Sequence, residues 1–132
     1  MTLALLLAAL TTQTVPVDRP SVDRGQWVEV QRTPTEVTYL DVANISRSGD
    51  HSLIWIRADY ATASEDTGDT RTFFMLDLDC GGRTLSMARY LGYDRDGHVT
   101  NENEIPAEHR RVQPIERDGL WAQLEARACR QA

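Results

Sequence analysis

Thr70-Arg71-Thr72-Phe73-Phe74-Met75-Leu76-Asp77-Leu78-Asp79-Cys80 is the stretch whose reading decides the fold. An extended chain sends successive side chains to opposite faces. Phe74, Leu76, Leu78 and Cys80 therefore share one face, and Phe73, Met75, Asp77 and Asp79 share the other. One apolar face and one mixed face mark a strand that lies on a core. Gly81-Gly82 comes next and predicts a tight hairpin into a second long strand over 83–94. Cys80 points with the apolar set, where a packed helix would meet it.

Toward the N-terminus, the stretch 51–60 repeats the alternation, with Ile54, Ile56, Ala58 and Tyr60 on the expected core face. Leu53, Trp55, Arg57 and Asp59 form a mixed face expected to be half exposed. Ser48-Gly49-Asp50 is a turn signal between an approach at 45–47 and this strand. Shorter strands are predicted over 26–32, carrying Trp27, Val28 and Val30, and over 36–42, with Pro34 as the break between them. The polar segment 61–69 reads as an acidic, solvated loop.

Toward the C-terminus, Asp96-Gly97 is a second turn, returning into a short strand over 98–101. Pro106 and Pro114 prevent a helix across 102–114, which is expected to be irregular. Beyond Asp118 the period changes: Leu120, Trp121, Leu124 and Ala128 lie along one helical stripe, with Cys129 at its edge. Asp118 is the expected N-cap, and Arg127 and Arg130 suit the negative end of the helix dipole. The predicted fold class is α+β: an antiparallel β-sheet meander packed by one C-terminal helix. A single domain over 26–132 follows a linker at 15–25.

The chain has 132 residues and 41% hydrophobic content, enough for one small core. Residues 3–10 are uninterruptedly apolar, too short to cross a bilayer and suited to the core of an export signal. A signal peptide over 1–14 is expected, although no clean cleavage motif closes it. Export would make the lone pair Cys80 and Cys129 a disulfide that pins the last helix onto the sheet. The predicted location is the periplasm, the cell surface or the extracellular space, with no stable membrane insertion once the signal is removed.

A net charge of −6 argues against nucleic acid or an anionic membrane as partner. Arg110-Arg111 is the strongest local basic pair and reads as a solvated loop. All fourteen basic residues are arginine, which excludes any mechanism requiring a catalytic lysine.

No constellation reaches a catalytic signature. With Gly97 at the sixth place of a calcium loop, Gly92 and Asn103 fall at the first and twelfth, where carboxylates are required. His51, His98 and His109 show no helical metal spacing, and no G-x-S-x-G elbow marks a nucleophile. Asp77 and Asp79 lie about 7 Å apart along one strand face, a separation that suits surface aspartates better than a glycosidase pair. No catalytic residue, cofactor or metal is assigned.

The order of landmarks does resemble a family. Trp27-Val28-Glu29-Val30 is followed by Tyr39-Leu40-Asp41 with Ile45-Ser46-Arg47, and then by Trp55-Ile56-Arg57-Ala58-Asp59-Tyr60. Leu76-Asp77-Leu78-Asp79-Cys80, Tyr93-Asp94-Arg95-Asp96-Gly97 and a proline-led helix from Val112-Gln113-Pro114 to Cys129 complete the series. Over roughly 26–130 this resembles the surface-adhesin protein E-like domain of Gram-negative bacteria. The resemblance implies an antiparallel sheet with a C-terminal helix, a Cys80–Cys129 disulfide, and binding of host matrix and serum proteins.

The chain departs from that pattern in lacking a lipidation cysteine after the apolar run and in carrying Ile115-Glu116 where a serine is common after the proline. It also lacks lysine, which removes lysine-dependent capture of partners. The expected function is an extracytoplasmic, non-catalytic binding module, adhesin-like or an envelope accessory protein, with a host or envelope protein as partner. An exposed apolar or aromatic patch on an otherwise solvated sheet face, with Trp55 as a candidate member, would be its mark. The alternatives are a small periplasmic hydrolase, which needs a histidine brought to a carboxylate in a concave site, or a small-ligand or metal carrier.

Overall fold

Eight strands and one helix follow one another in the computed structural model, which describes residues 24–130. They are β1 (Trp27–Arg32), β2 (Glu36–Asp41), β3 (Ser46–Ser48), β4 (His51–Tyr60), β5 (Arg71–Asp79), β6 (Thr84–Tyr93), β7 (Val99–Glu104), β8 (Gln113–Pro114) and α1 (Leu120–Cys129). The expected signal peptide at 1–14 and most of the linker lie outside the described residues.

All strand pairings are antiparallel, in the order β1-β2-β4-β5-β6-β7, with β3 added beside β4 and β8 beside β6. The meander follows from turn chemistry. Gly49 and Gly97 sit at φ 58° and 81°, a region that only glycine enters without strain, and each closes a turn between successive strands.

Register sorts the side chains into two faces. Ile54 lies opposite Leu76 and Ser52 opposite Leu78. Leu76 continues to Met87 and Leu78 to Leu85. With Leu40, Ile56, Ile115, Leu124 and Ala128 these residues build the main core under α1. Leu124 and Ala128 are fully buried, as their helical spacing predicts.

Four ties hold α1 down. Cys129 forms a disulfide with Cys80 across a sequence separation of 49, which in a loop-entropy account stabilises by about 4 kcal/mol. The buried Ser52 hydroxyl donates to the Ala128 carbonyl at 3.1 Å. Arg47 Nη1 donates to the Cys129 carbonyl at 2.7 Å. Arg83 forks onto the Glu125 carboxylate through Nε at 3.0 Å and Nη2 at 2.9 Å. The two carbonyl bonds satisfy acceptors that every helix C-terminus leaves open.

Four local expectations are corrected. The helix N-cap is Gly119 (φ 99°), not Asp118, and no side chain caps the first turn. That backbone angle selects glycine over any capping side chain. Gly81-Gly82 does not form a two-residue hairpin: the turn spans residues 80–83, and its left-handed position is Arg83 at φ 53°. The Cys80 amide donates to the Asp50 carbonyl at 2.7 Å and the Gly82 amide to Asp79 Oδ1 at 2.9 Å, so the wider turn is set by its neighbours.

The segment 102–114 is also more regular than expected, since β7 runs to Glu104, a 3-10 turn covers Ala107–His109, and β8 pairs with β6. Finally, the mixed face of β4 is half-buried only at Leu53 and Asp59; at its centre Trp55 is 9% exposed and Arg57 6%.

Candidate functional site: the open face of the sheet

The face away from α1 is built in rows across the strands. Tyr39, Arg57, Phe73 and Leu91 lie in one row, and Asp59, Arg71 and Tyr93 in the next. On the other side of the first row lie Trp55 and Met75. Beyond them Leu53, Asp77 and Ser86 form one row, and His51, Asp79 and Thr84 the last.

Leu91 and Tyr93 belong here because of a bulge. Met75 pairs with Arg89 and Leu76 with Met87, which leaves Ala88 as the extra residue. One extra residue reverses which face each later side chain takes. Without it, Leu91 and Tyr93 would share the face of Leu85 and Met87. The bulged Ala88 carbonyl accepts the Ile105 amide at 2.9 Å and so anchors the segment leaving β7.

The sheet coils strongly toward this side. Two strands intervene between β1 and β5, so a flat sheet would hold Trp27 and Phe73 roughly 14 Å apart. Their ring centroids are 5.6 Å apart, and Phe73 also meets Tyr93 edge-on at 5.6 Å. Coiling buries Trp55, Phe73 and Leu91 as a second core without a covering helix. Trp55 is therefore core, contrary to the expectation that it would belong to an exposed patch.

Arg57 lies within this second core, its guanidinium carbon 4.1 Å from the Tyr39 ring centroid and 5.1 Å from that of Trp27. Ring faces stabilise a cation that water cannot reach. Its Nε is 3.3 Å from Asp59 Oδ1 but is not aligned to donate, and it has no hydrogen-bond partner. Asp59 is held by Arg71 instead, through Nε at 2.7 Å and Nη2 at 3.3 Å.

Past the Asp59–Arg71 pair the face opens into a cleft of about 630 Å³. Its lining includes Tyr60, Arg71, Phe73, Tyr93, Asp94 and Arg95. Burial pushes the Tyr60 hydroxyl above its ordinary pKa, an effect that its hydrogen bond with Thr72 opposes. Asp94 Oδ1 accepts the amides of Asp96 and His98, each at 2.9 Å. The His98 amide is the leading cause of the lowered Asp94 pKa. Asp94, Asp96 and His98 bring ligand atoms within 4.8 Å of one another, yet the best-placed carboxylate already serves the turn.

The loop beside the cleft is fastened by a residue that sequence reasoning missed. The acidic segment was expected to be solvated, and Glu65 and Asp66 are exposed. Asp69 is buried: it accepts from the Thr100 hydroxyl and from Asn101 Nδ2 at 3.1 Å. Its carboxylate lies over Gly92, where an added Cβ would come within 2.4 Å of Oδ2. A glycine inside a strand, Gly92 in β6, was the available signal for such a close approach.

At the opposite end of the face, His51 Nδ1 and Asp77 Oδ1 are 2.8 Å apart. Donation from the protonated ring to the Asp77 carboxylate raises the His51 pKa above 6.5. Arg110 reaches back to the Ile105 carbonyl at 2.9 Å and lies 3.6 Å from Asp77 Oδ2. Arg110 thus belongs to this cluster. A smaller cleft of about 260 Å³ is lined here by His51, Asp77, Asp79, Ser86, Arg110 and Val112, among others. The histidine and carboxylate do meet in a concave site, but among the described residues no hydrogen bond links Ser86 Oγ to the His51 ring. Asp77 and Asp79 hold different groups, a ring nitrogen and a turn amide.

A coiled antiparallel sheet, one face sealed by a disulfide-tethered helix and the other ending in a cleft, defines a small α+β domain. The chain belongs to the surface-adhesin protein E family, whose pattern matches residues 27–130. No curated protein and no solved structure matches it. Among the described residues, no helix is long and apolar enough to cross a membrane.

Proposed function

We propose that this protein is an exported, non-catalytic, adhesin-like binding module that takes a host or envelope protein at the open end of its sheet. The observation that carries the reading is the 630 Å³ cleft, framed by tyrosine and arginine side chains on a rigid sheet. These are the residue types that dominate protein contacts, because they bury a large surface and still offer polar tips. Family membership and the Cys80–Cys129 bridge support an adhesin-like role and export. Removal of residues 1–14 as a signal, with 15–25 as linker, belongs to the same proposal.

Two measurements test it. Intact mass of the exported protein should lack the first dozen or so residues and rise by two hydrogens on reduction. The oxidised protein should then bind at least one member of a panel of immobilised matrix, serum and envelope proteins. A full-length cytosolic product with free thiols, or no binding across the panel, would sink the proposal. The His51–Asp77 pair favours a second reading as a small hydrolase. Ester or amide turnover abolished by His51→Ala would establish that alternative, and equal turnover by the variant would dismiss it.

A further inference from the structure

We infer that the 630 Å³ cleft recognises the C-terminal carboxylate of a partner polypeptide, with the last side chain of that partner lying against Tyr60, Phe73 and Tyr93. The inference rests on the binding-module reading and specifies its chemistry.

The argument begins with which polar atoms around the cleft are already used. Its two carboxylates are both committed. Asp59 receives two hydrogen bonds from Arg71, and Asp94 Oδ1 receives two backbone amides. The cations are less occupied. Arg71 uses Nε and Nη2 on Asp59, and no hydrogen bond engages its Nη1 among the described residues. Arg95 is exposed on the β6–β7 turn and has no ion-pair or hydrogen-bond partner among the described residues. The unused capacity is therefore donor capacity on two guanidinium groups, which suits a carboxylate.

Charge behind the cleft acts in the same direction. Arg57 is buried one row deeper, its Nε without an acceptor, so Asp59 lies between two guanidinium groups and does not repel an incoming anion as a free carboxylate would.

A single carboxylate is favoured over an acidic run, because Asp96 beside Arg95, and Glu36 and Asp69 acting on Tyr60, would repel further negative charge. A polypeptide end is favoured over a free small acid because the partner in the binding-module reading is itself a protein, and the cleft of about 630 Å³ has Tyr60, Phe73 and Tyr93 in its lining to meet a terminal side chain.

The test is a titration of the full, oxidised chain with acetyl-Gly-Gly-Phe as free acid and as C-terminal amide, followed by amide chemical shifts. The acid should perturb Tyr60, Arg71, Tyr93, Arg95 and Gly97 and bind about tenfold or more tightly than the amide. Arg95→Glu should remove that difference without moving the thermal midpoint, since Arg95 supports no other group. Arg95→Lys should retain part of it.

Equal affinity for acid and amide, or perturbations mapping to the His51 end, would overturn the inference. Phenylacetate binding as tightly as the peptide acid would overturn the polypeptide part and leave a small-acid site. A chain that binds a panel protein but no peptide probe would refute the inference alone. A chain that binds neither would refute the binding-module reading with it.

Discussion

The two faces of one sheet are built on opposite principles. The helix face is a conventional apolar core: Leu40, Ile54, Leu76, Leu78 and Leu124 are nearly or fully inaccessible, and α1 covers them. The open face has no covering element; it protects Trp55, Phe73 and Leu91 by coiling and places an arginine among its aromatics. Apolar area removed from water is the main source of stability, and the helix face contains most of it. The open face contributes less and keeps charged groups in defined positions at both of its ends. Most of the stabilising core thus lies on one side of the strands, and the proposed recognition cleft on the other.

Removing the tether should break this contrast most severely. Cys80→Ala with Cys129→Ala should lower unfolding free energy by about 4 kcal/mol in denaturant titration, because the unfolded chain regains its loop entropy. A loss below about 1 kcal/mol would mean that the other ties seat the helix unaided. Leu124→Ala should cost about 3 kcal/mol, since the side chain is fully buried in close packing.

On the open face, Arg57→Met should cost less than about 1 kcal/mol, as it removes a desolvated charge and its orphaned Nε together while Arg71 still holds Asp59. A loss comparable to that of Leu124→Ala would erase the distinction between the faces.

The smallest effect is expected at the His51 end. Asp77→Asn should bring the His51 pKa down toward 6.5 in an NMR titration of the ring protons. Because the folded pKa is raised, the contribution of the pair is complete below the unfolded value and fades as pH rises through the folded one. The variant should therefore show a flatter stability profile across that window and little change above it. An unmoved His51 pKa would show that Asp79 and Asp50, rather than Asp77, set it.

Much of the architecture was readable because it depends on local rules. Period-two alternation located β4 and β5, glycine-containing turns located two of the reversals, and the shift to a helical period located α1 with Leu124 and Ala128 inward. The Asp118 cap and the Gly81-Gly82 hairpin were misread for a common reason. In both places a neighbouring backbone position, Gly119 or Arg83, took the unusual φ, and side-chain type alone does not specify which residue that will be. The cleft was legible only as separate residues. Tyr60, Arg71, Tyr93 and Arg95 share no motif and come from three strands and a turn.

The sequence by itself determined the class of fold, the approximate strand and helix boundaries, the family resemblance and the cysteine pair, because each rests on short-range periodicity or on a feature that occurs once. Tertiary structure alone decided the character of the open face. The bulge at Ala88 turned Leu91 and Tyr93 to that side, and coiling brought Trp27 to Phe73 across two intervening strands. Both are long-range effects. A bulge is the compromise between two strands in register, and coiling sums small twists over the whole sheet, so neither is encoded in any one stretch of chain.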